Sequence, residues 1–175
     1  MKKYAMVLLF GAIFVALASS PALGEQGRFA IGGYGGYQWP IAQDDADPGA
    51  LFGFKGKVAM GSVIELEPNV TWIQNGDTTT NSGGDIPAPE VISFALNANL
   101  ILGEIFNVTG GLGWASVDLP ITGGENKFAW NAGFGLEFPV GPLTIDISPR
   151  LLVIVTESGA SRKHGLVMAG LNYRF

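Results

Sequence analysis

The sequence predicts an all-β fold, an eight-stranded antiparallel up-and-down transmembrane β-barrel, on three observations. Apolar and polar residues alternate with period two in eight separate runs. The connections between those runs alternate between long polar segments and very short ones. On the apolar face, aromatic residues gather at two heights. A soluble sandwich explains the alternation but has no reason to sort rings by height, whereas two membrane interfaces do.

The runs fall near 28–39, 51–60, 63–74, 91–102, 105–116, 127–138, 143–154 and 164–175. The first sets Phe29, Tyr37 and Trp39 against Arg28, Gly32 and Gly36, and the second Phe52 and Phe54 against Lys55 and Lys57. The third opposes Trp72 to Glu65, Glu67 and Asn69, and the fourth carries Asn97 and Asn99 on its polar side. The fifth sets Phe106 and Trp114 against Asn107, Gly111 and Gly113. In the sixth, Phe128, Trp130, Ala132, Phe134, Leu136 and Phe138 share one face, and Lys127, Asn131, Gly133, Gly135 and Glu137 the other. The seventh opposes Leu143, Ile145, Ile147, Leu151 and Val153 to Thr144, Asp146, Ser148 and Arg150. The eighth alternates Leu171, Tyr173 and Phe175 with Asn172 and Arg174. A run of about 12 residues, at ~3.3 Å each and a tilt of ~40°, rises roughly 30 Å along a barrel axis, enough to cross an outer membrane. Pro68 and Pro149 stand mid-strand, where each removes a ladder donor, so bulges or local distortions are expected there.

The long connections, 40–50, 75–90, 117–126 and 155–163, are rich in acids; the short ones lie at 61–62, 103–104 and 139–142. Short periplasmic turns and long outer loops are what an outer-membrane barrel requires, and an even strand count puts both termini on the periplasmic side. Trp39, Trp72, Trp114 and Trp130 then fall near the outer ends of their strands. Phe29, Phe106, Phe138 and Tyr173 collect at the periplasmic ends, forming two aromatic belts around an aliphatic band.

Composition closes off other functions. The 175 residues hold 10 Lys+Arg against 15 Asp+Glu, no Cys and one His. An acidic balance disfavours nucleic acid. The absence of Cys removes disulfides, thiolate metal sites and a Cys nucleophile, and a single His removes most zinc and non-haem iron sites. No metal or cofactor is expected. Lys2 and Lys3, an apolar run from Ala5 to Ala18, and Ala22-Leu23-Gly24 read as a cleaved signal peptide over 1–24, leaving a barrel domain over 25–175.

Charged residues inside the runs share the inward parity: Arg28, Lys55, Lys57, Glu65, Glu67, Glu137, Asp146, Arg150 and Arg174, with Lys127 at the rim. An eight-stranded barrel is just wide enough to be filled by its own side chains. A three-residue turn at Met60-Gly61-Ser62 sets Lys57 directly opposite Glu65 and Lys55 opposite Glu67. The long charged chains are expected to reach across the barrel to a wall of glycines, forming a salt-bridged plug. Replacing Lys57 by Ala is then expected to open conductance or to destabilise the barrel.

These residues resemble the small outer-membrane β-barrel family of the OmpA transmembrane domain and OmpX. The resemblance covers the whole chain after residue 24 and rests on the eight strands, the loop rhythm, the ionic interior and the ending Gly170-Leu171-Asn172-Tyr173-Arg174-Phe175. It implies that Leu171, Tyr173 and Phe175 form an assembly signal read by the barrel-insertion machinery.

Three further readings concern the loops and rim. Glu157, Ser161 and His164 contain the residue types of a lipid A-modifying enzyme, a deacylase or palmitoyltransferase, but such triplets arise by chance and a solvated rim histidine is the simpler reading. Asp44-Asp45-Ala46-Asp47-Pro48-Gly49 lacks the spacing of a calcium loop and reads as a solvated acidic loop. Arg162, Lys163 and His164 could meet lipid phosphates, against the plainer reading of an ordinary charged loop. The expectation is therefore a non-enzymatic barrel of the outer membrane, in contact with its lipid and lipopolysaccharide, displaying loops for a surface partner. The alternative is a narrow pore for ions or small solutes.

Overall fold

The computed structural model describes residues 29–41, 47–76, 78–79, 85–86, 90–119, 123–156 and 161–175. The signal-peptide reading, Arg28, Asp44, Asp45 and Glu157 lie outside them. Among the described residues ten strands follow one another: β1 (Phe29–Ile41), β2 (Gly49–Ala59), β3 (Ile64–Gln74), the short β4 (Thr78–Thr79) and β5 (Asp85–Ile86), β6 (Glu90–Leu102), β7 (Phe106–Leu119), β8 (Gly123–Val140), β9 (Leu143–Val155) and β10 (Ser161–Arg174). Eight of them close into an antiparallel barrel in which each pairs with its neighbours in sequence and β1 pairs with β10. β4 and β5 pair with each other within the second long connection. Among the described residues there is no helix.

The register fixes the tilt. From Phe29 the pairs run through Val58, Leu66, Ala98, Gly110, Ala132, Leu151 and Gly165 to Trp39, ten residues further along β1. Ten residues at ~3.3 Å over eight spacings of ~4.8 Å correspond to a tilt of about 40°, the ordinary slope of a closed small barrel. The tight turns need left-handed backbone, and glycine supplies it: Gly61 (φ 109°), Gly103 (φ 80°) and Gly141 (φ 63°) each open one.

The two mid-strand prolines do not produce bulges. The β2–β3 register is the same on both sides of Pro68, and the β8–β9 register the same on both sides of Pro149. Each proline interrupts one ladder only, since Pro68 keeps its pairing with Leu96 and Pro149 with Val167. A bulge is unnecessary because losing one donor on one edge leaves the other edge to hold the strand.

The outer wall is apolar and large, with Phe54 62% and Leu112 63% exposed. The four Trp side chains stand on this wall toward the long-loop end, where Phe52 stacks on Trp72 at 5.5 Å. Phe29, Phe106, Phe138 and Tyr173 lie toward the tight-turn end, and Phe29 stacks on Phe175 at 5.6 Å. Strands β6 and β10 start earlier than the alternation suggests. They place Glu90 and Lys163 on the outward side at the long-loop rim, so the inward rule for charge holds below the rim.

Candidate functional site: a barrel interior filled in two layers

The inward positions nearest the tight turns carry the charges. Lys55 Nζ lies 2.7 Å from Asp146 Oδ1 and 3.9 Å from Glu67 Oε2. Lys57 Nζ lies 2.5 Å from Glu137 Oε1 and 3.2 Å from Glu65 Oε1. Arg150 Nη2 meets Glu67 Oε1 at 2.8 Å, and Arg174 Nη2 approaches Glu65 Oε2 at 3.6 Å. Eight of the nine interior charges read from the sequence therefore pair in two sets, Lys55 and Arg150 with Glu67 and Asp146, and Lys57 and Arg174 with Glu65 and Glu137, which Asn99 joins into one network by donating to Glu65 and Glu67; the ninth, Arg28, is not described. Burial is nearly complete for its central members: Lys57 is 2% exposed and Glu67 1%.

Isolated charges at such depth cost several kcal/mol each, and pairing offsets this only when the remaining lone pairs are also satisfied. Asparagines do this here. Asn97 and Asn69 donate to Glu67 Oε1 at 3.0 and 3.4 Å, and Asn99 to Glu65 Oε1 at 3.3 Å. Asn107 donates to Glu137 at 2.8 Å and Asn172 to Asp146 at 2.5 Å. Lys55 also stands 5.4 Å above the ring of Tyr34, whose hydroxyl meets Thr71 Oγ1 at 2.6 Å.

Two sequence expectations need correction. Lys55 stands opposite Asn69, and Ala59 opposite Glu65, so the register is displaced by two residues and the lysine–glutamate pairs meet diagonally. The cause is the turn, which consists of Gly61, Ser62 and Val63 with Met60 donating to Ile64 at 2.8 Å, rather than of Met60 to Ser62. The longest side chains do cross the barrel, Lys57 of β2 to Glu137 of β8 and Arg150 of β9 to Glu67 of β3, but they end on carboxylates rather than on a glycine wall. The glycines instead make room for side chains paired with them on the next strand: Asn97 lies over Gly111, Tyr34 over Gly53, Arg150 over Gly133 and Asp146 beside Gly170. A Cβ at Gly53 would stand 2.5 Å from the Tyr34 hydroxyl.

The inward positions toward the long loops are apolar. Leu51, Ile73, Val91, Ala115, Val117, Ala129, Leu152, Ile154, Leu166 and Met168 form one buried cluster with Tyr34. This layer was missed in the sequence because alternation vanishes where both faces are apolar, as in Leu151-Leu152-Val153-Ile154-Val155. The signal was present in parity, since these residues continue the inward positions of the charged ones. Between the layers lies a cavity of about 20 Å³ bounded by Tyr34, Asn69, Thr71, Ser93, Asn131 and Arg150, room for about one water. Below the ionic layer, a vestibule of about 330 Å³ opens among Asn107, Glu137, Thr144 and Arg174.

His164 is not a rim residue. It points into the barrel, 1% exposed, with Nδ1 3.0 Å from Gln38 Oε1. Ser161, three residues earlier on β10, is exposed and has the opposite parity. A strand turns residues of odd separation to opposite faces, so Ser161 and His164 do not converge as a lipid A-modifying triad would require. Among the described residues no group of three or more His, Asp or Glu is placed to hold a metal.

The family described as outer membrane protein beta-barrel domain matches residues 8–175. Neisserial surface protein A is 14% identical, with 86% of this chain and 99% of that one covered at a TM-score of 0.65. The N-terminal β-barrel domain of Pseudomonas aeruginosa OprF is 12% identical, covering 86% and 100% at 0.55. Ail, the attachment invasion locus protein of Yersinia pestis, is 18% identical, covering 86% and 100% at 0.54. No curated relative matches the sequence.

Proposed function

The chain belongs to the outer membrane protein β-barrel family and resides in the outer membrane, and on that footing we propose that it is a closed, non-enzymatic scaffold presenting its long loops outside the cell. One observation carries the reading: the barrel is filled twice over, by the ionic network and by the apolar cluster stacked on it. An ion would have to part at least two buried ion pairs and then shed its water in an apolar constriction. Both termini face the periplasm and the long connections face outward, the arrangement in which tight turns are periplasmic. The insertion machinery reads the outward residues Leu171 and Tyr173 of β10 and Phe175, which follows it directly. The outer wall contacts lipid and lipopolysaccharide, and the loops meet a surface partner.

A narrow pore is the second reading, favoured by the vestibule at the tight-turn end, which brings solvent to Glu137 and Arg174. Osmotic swelling of proteoliposomes containing residues 25–175 separates the two. The scaffold gives no swelling in glycerol, urea or small sugars above protein-free vesicles; size-graded swelling makes the pore the correct reading. Lipid A mass spectra that stay unchanged on overexpression support the non-enzymatic part, and a modified lipid A absent with His164→Ala would refute it.

A further inference from the structure

At the long-loop mouth of the barrel one glutamine makes contacts that the scaffold role does not by itself require. A carboxamide accepts through its oxygen and donates through its NH2, so it can face two different partners only in one orientation. Gln38, on β1, is fully buried. Its Nε2 lies 2.7 Å from Asn75 Oδ1 and 3.3 Å from the backbone oxygen of Asp47. A backbone oxygen only accepts, so the NH2 end must face these two residues and Oε1 must face His164. The His164 Nδ1 at 3.0 Å therefore carries the proton and donates. The other ring nitrogen, Nε2, has no hydrogen-bond partner among the described residues.

Asp47 and Asn75 belong to different connections. Asp47 precedes β2 and Asn75 follows β3, and the Asp47 oxygen also accepts from Gly76 N at 3.2 Å. A single wall residue thus holds the bases of the first two long connections, while β10 holds that residue from behind. We propose that Gln38 is a latch joining these two connections to the barrel mouth as one rigid unit, with His164 as the positioning residue that fixes which end of the carboxamide faces them. What the loops display is then one composite surface set by β1 and β10, and this holds whether or not the barrel conducts.

Amide hydrogen exchange on the full barrel in lipid nanodiscs tests this, read at 47–50 and 74–76 against the strand interiors. Gln38→Glu keeps an acceptor for His164 but has no donor for Asp47 or Asn75, and exchange at both segments should rise at least tenfold with the strands unchanged. His164→Gln can still donate to Gln38 and should stay within about twofold of wild type, whereas His164→Phe should match Gln38→Glu. Wild-type exchange in a folded Gln38→Glu barrel would overturn the latch. An equal rise in His164→Gln and His164→Phe would overturn the positioning role. Should Gln38→Glu fail to fold, Asn75→Ala removes the shorter bond from the loop side. A rise of threefold or more at 47–50 and 74–76 then supports the latch, and no rise contradicts it.

Discussion

The carboxamide of Asn97 on β6 lies over Gly111, its paired residue on β7, in the space where a side chain there would begin. From that position Asn97 donates to Glu67 at 3.0 Å and accepts from Asn131 at 2.9 Å. A methyl group at Gly111 would therefore push out a ligand of the most buried carboxylate. Gly111→Ala should destabilise the barrel by about 1–3 kcal/mol, the ordinary range for overpacking. Gly110→Ala, one residue away with nothing within 4 Å of a built Cβ, should be close to neutral. Urea unfolding from lipid vesicles compares the two.

Lys57 bridges two acids, Glu65 and Glu137, on opposite sides of the ionic layer. Lys57→Met leaves both with less compensation and should cost about 3–5 kcal/mol, the range for breaking a buried pair. Pairing it with Glu137→Gln should recover part of that loss, because one stranded charge is removed with its partner. The same unfolding assay measures the coupling, and strictly additive losses would count against a shared network.

The apolar layer makes a separate prediction. Leu152 and Ile154 are buried inside the barrel, so Leu152→Ala should cost about 2–5 kcal/mol, the core value. The outward neighbour Leu151→Ala leaves its face toward lipid and should cost less. Equal costs would mean that the upper interior is not packed as a core.

On the outer wall, Phe52 and Trp72 are directly paired and stacked, with planes 7° apart. A double-mutant cycle to Ala should give a coupling of about 0.5–1.5 kcal/mol, as for other aromatic pairs. Trp72 fluorescence in Phe52→Ala would report the change of environment.

The strands, the loop rhythm and the charged interior were legible because each depends on parity, which a period-two pattern records directly. Strand ends were less legible: β7 and β8 continue to Leu119 and Gly123, through residues whose polarity reads as loop. The β2–β3 register was wrong by two because turns at Met60–Ser62 and Gly61–Val63 satisfy the same parity rule, and parity alone cannot choose between them. The apolar layer was hidden where inward and outward faces have the same character. The contact of Gln38 with His164 could not be read at all, since it exists only because closure brings β1 beside β10.

With two layers in the barrel, opening one should not open the path. Lys57→Ala is accordingly expected to weaken the protein without making it conduct, which revises the expectation drawn from the charges alone. Single-channel current from refolded residues 25–175 in a planar bilayer tests this most directly, comparing wild type, Lys57→Ala, and Lys57→Ala combined with Leu152→Ser and Leu166→Ser. Silence is expected from the first two and discrete steps from the combined variant; steady conducting steps from the wild type or from Lys57→Ala would mean that the two layers do not close the barrel.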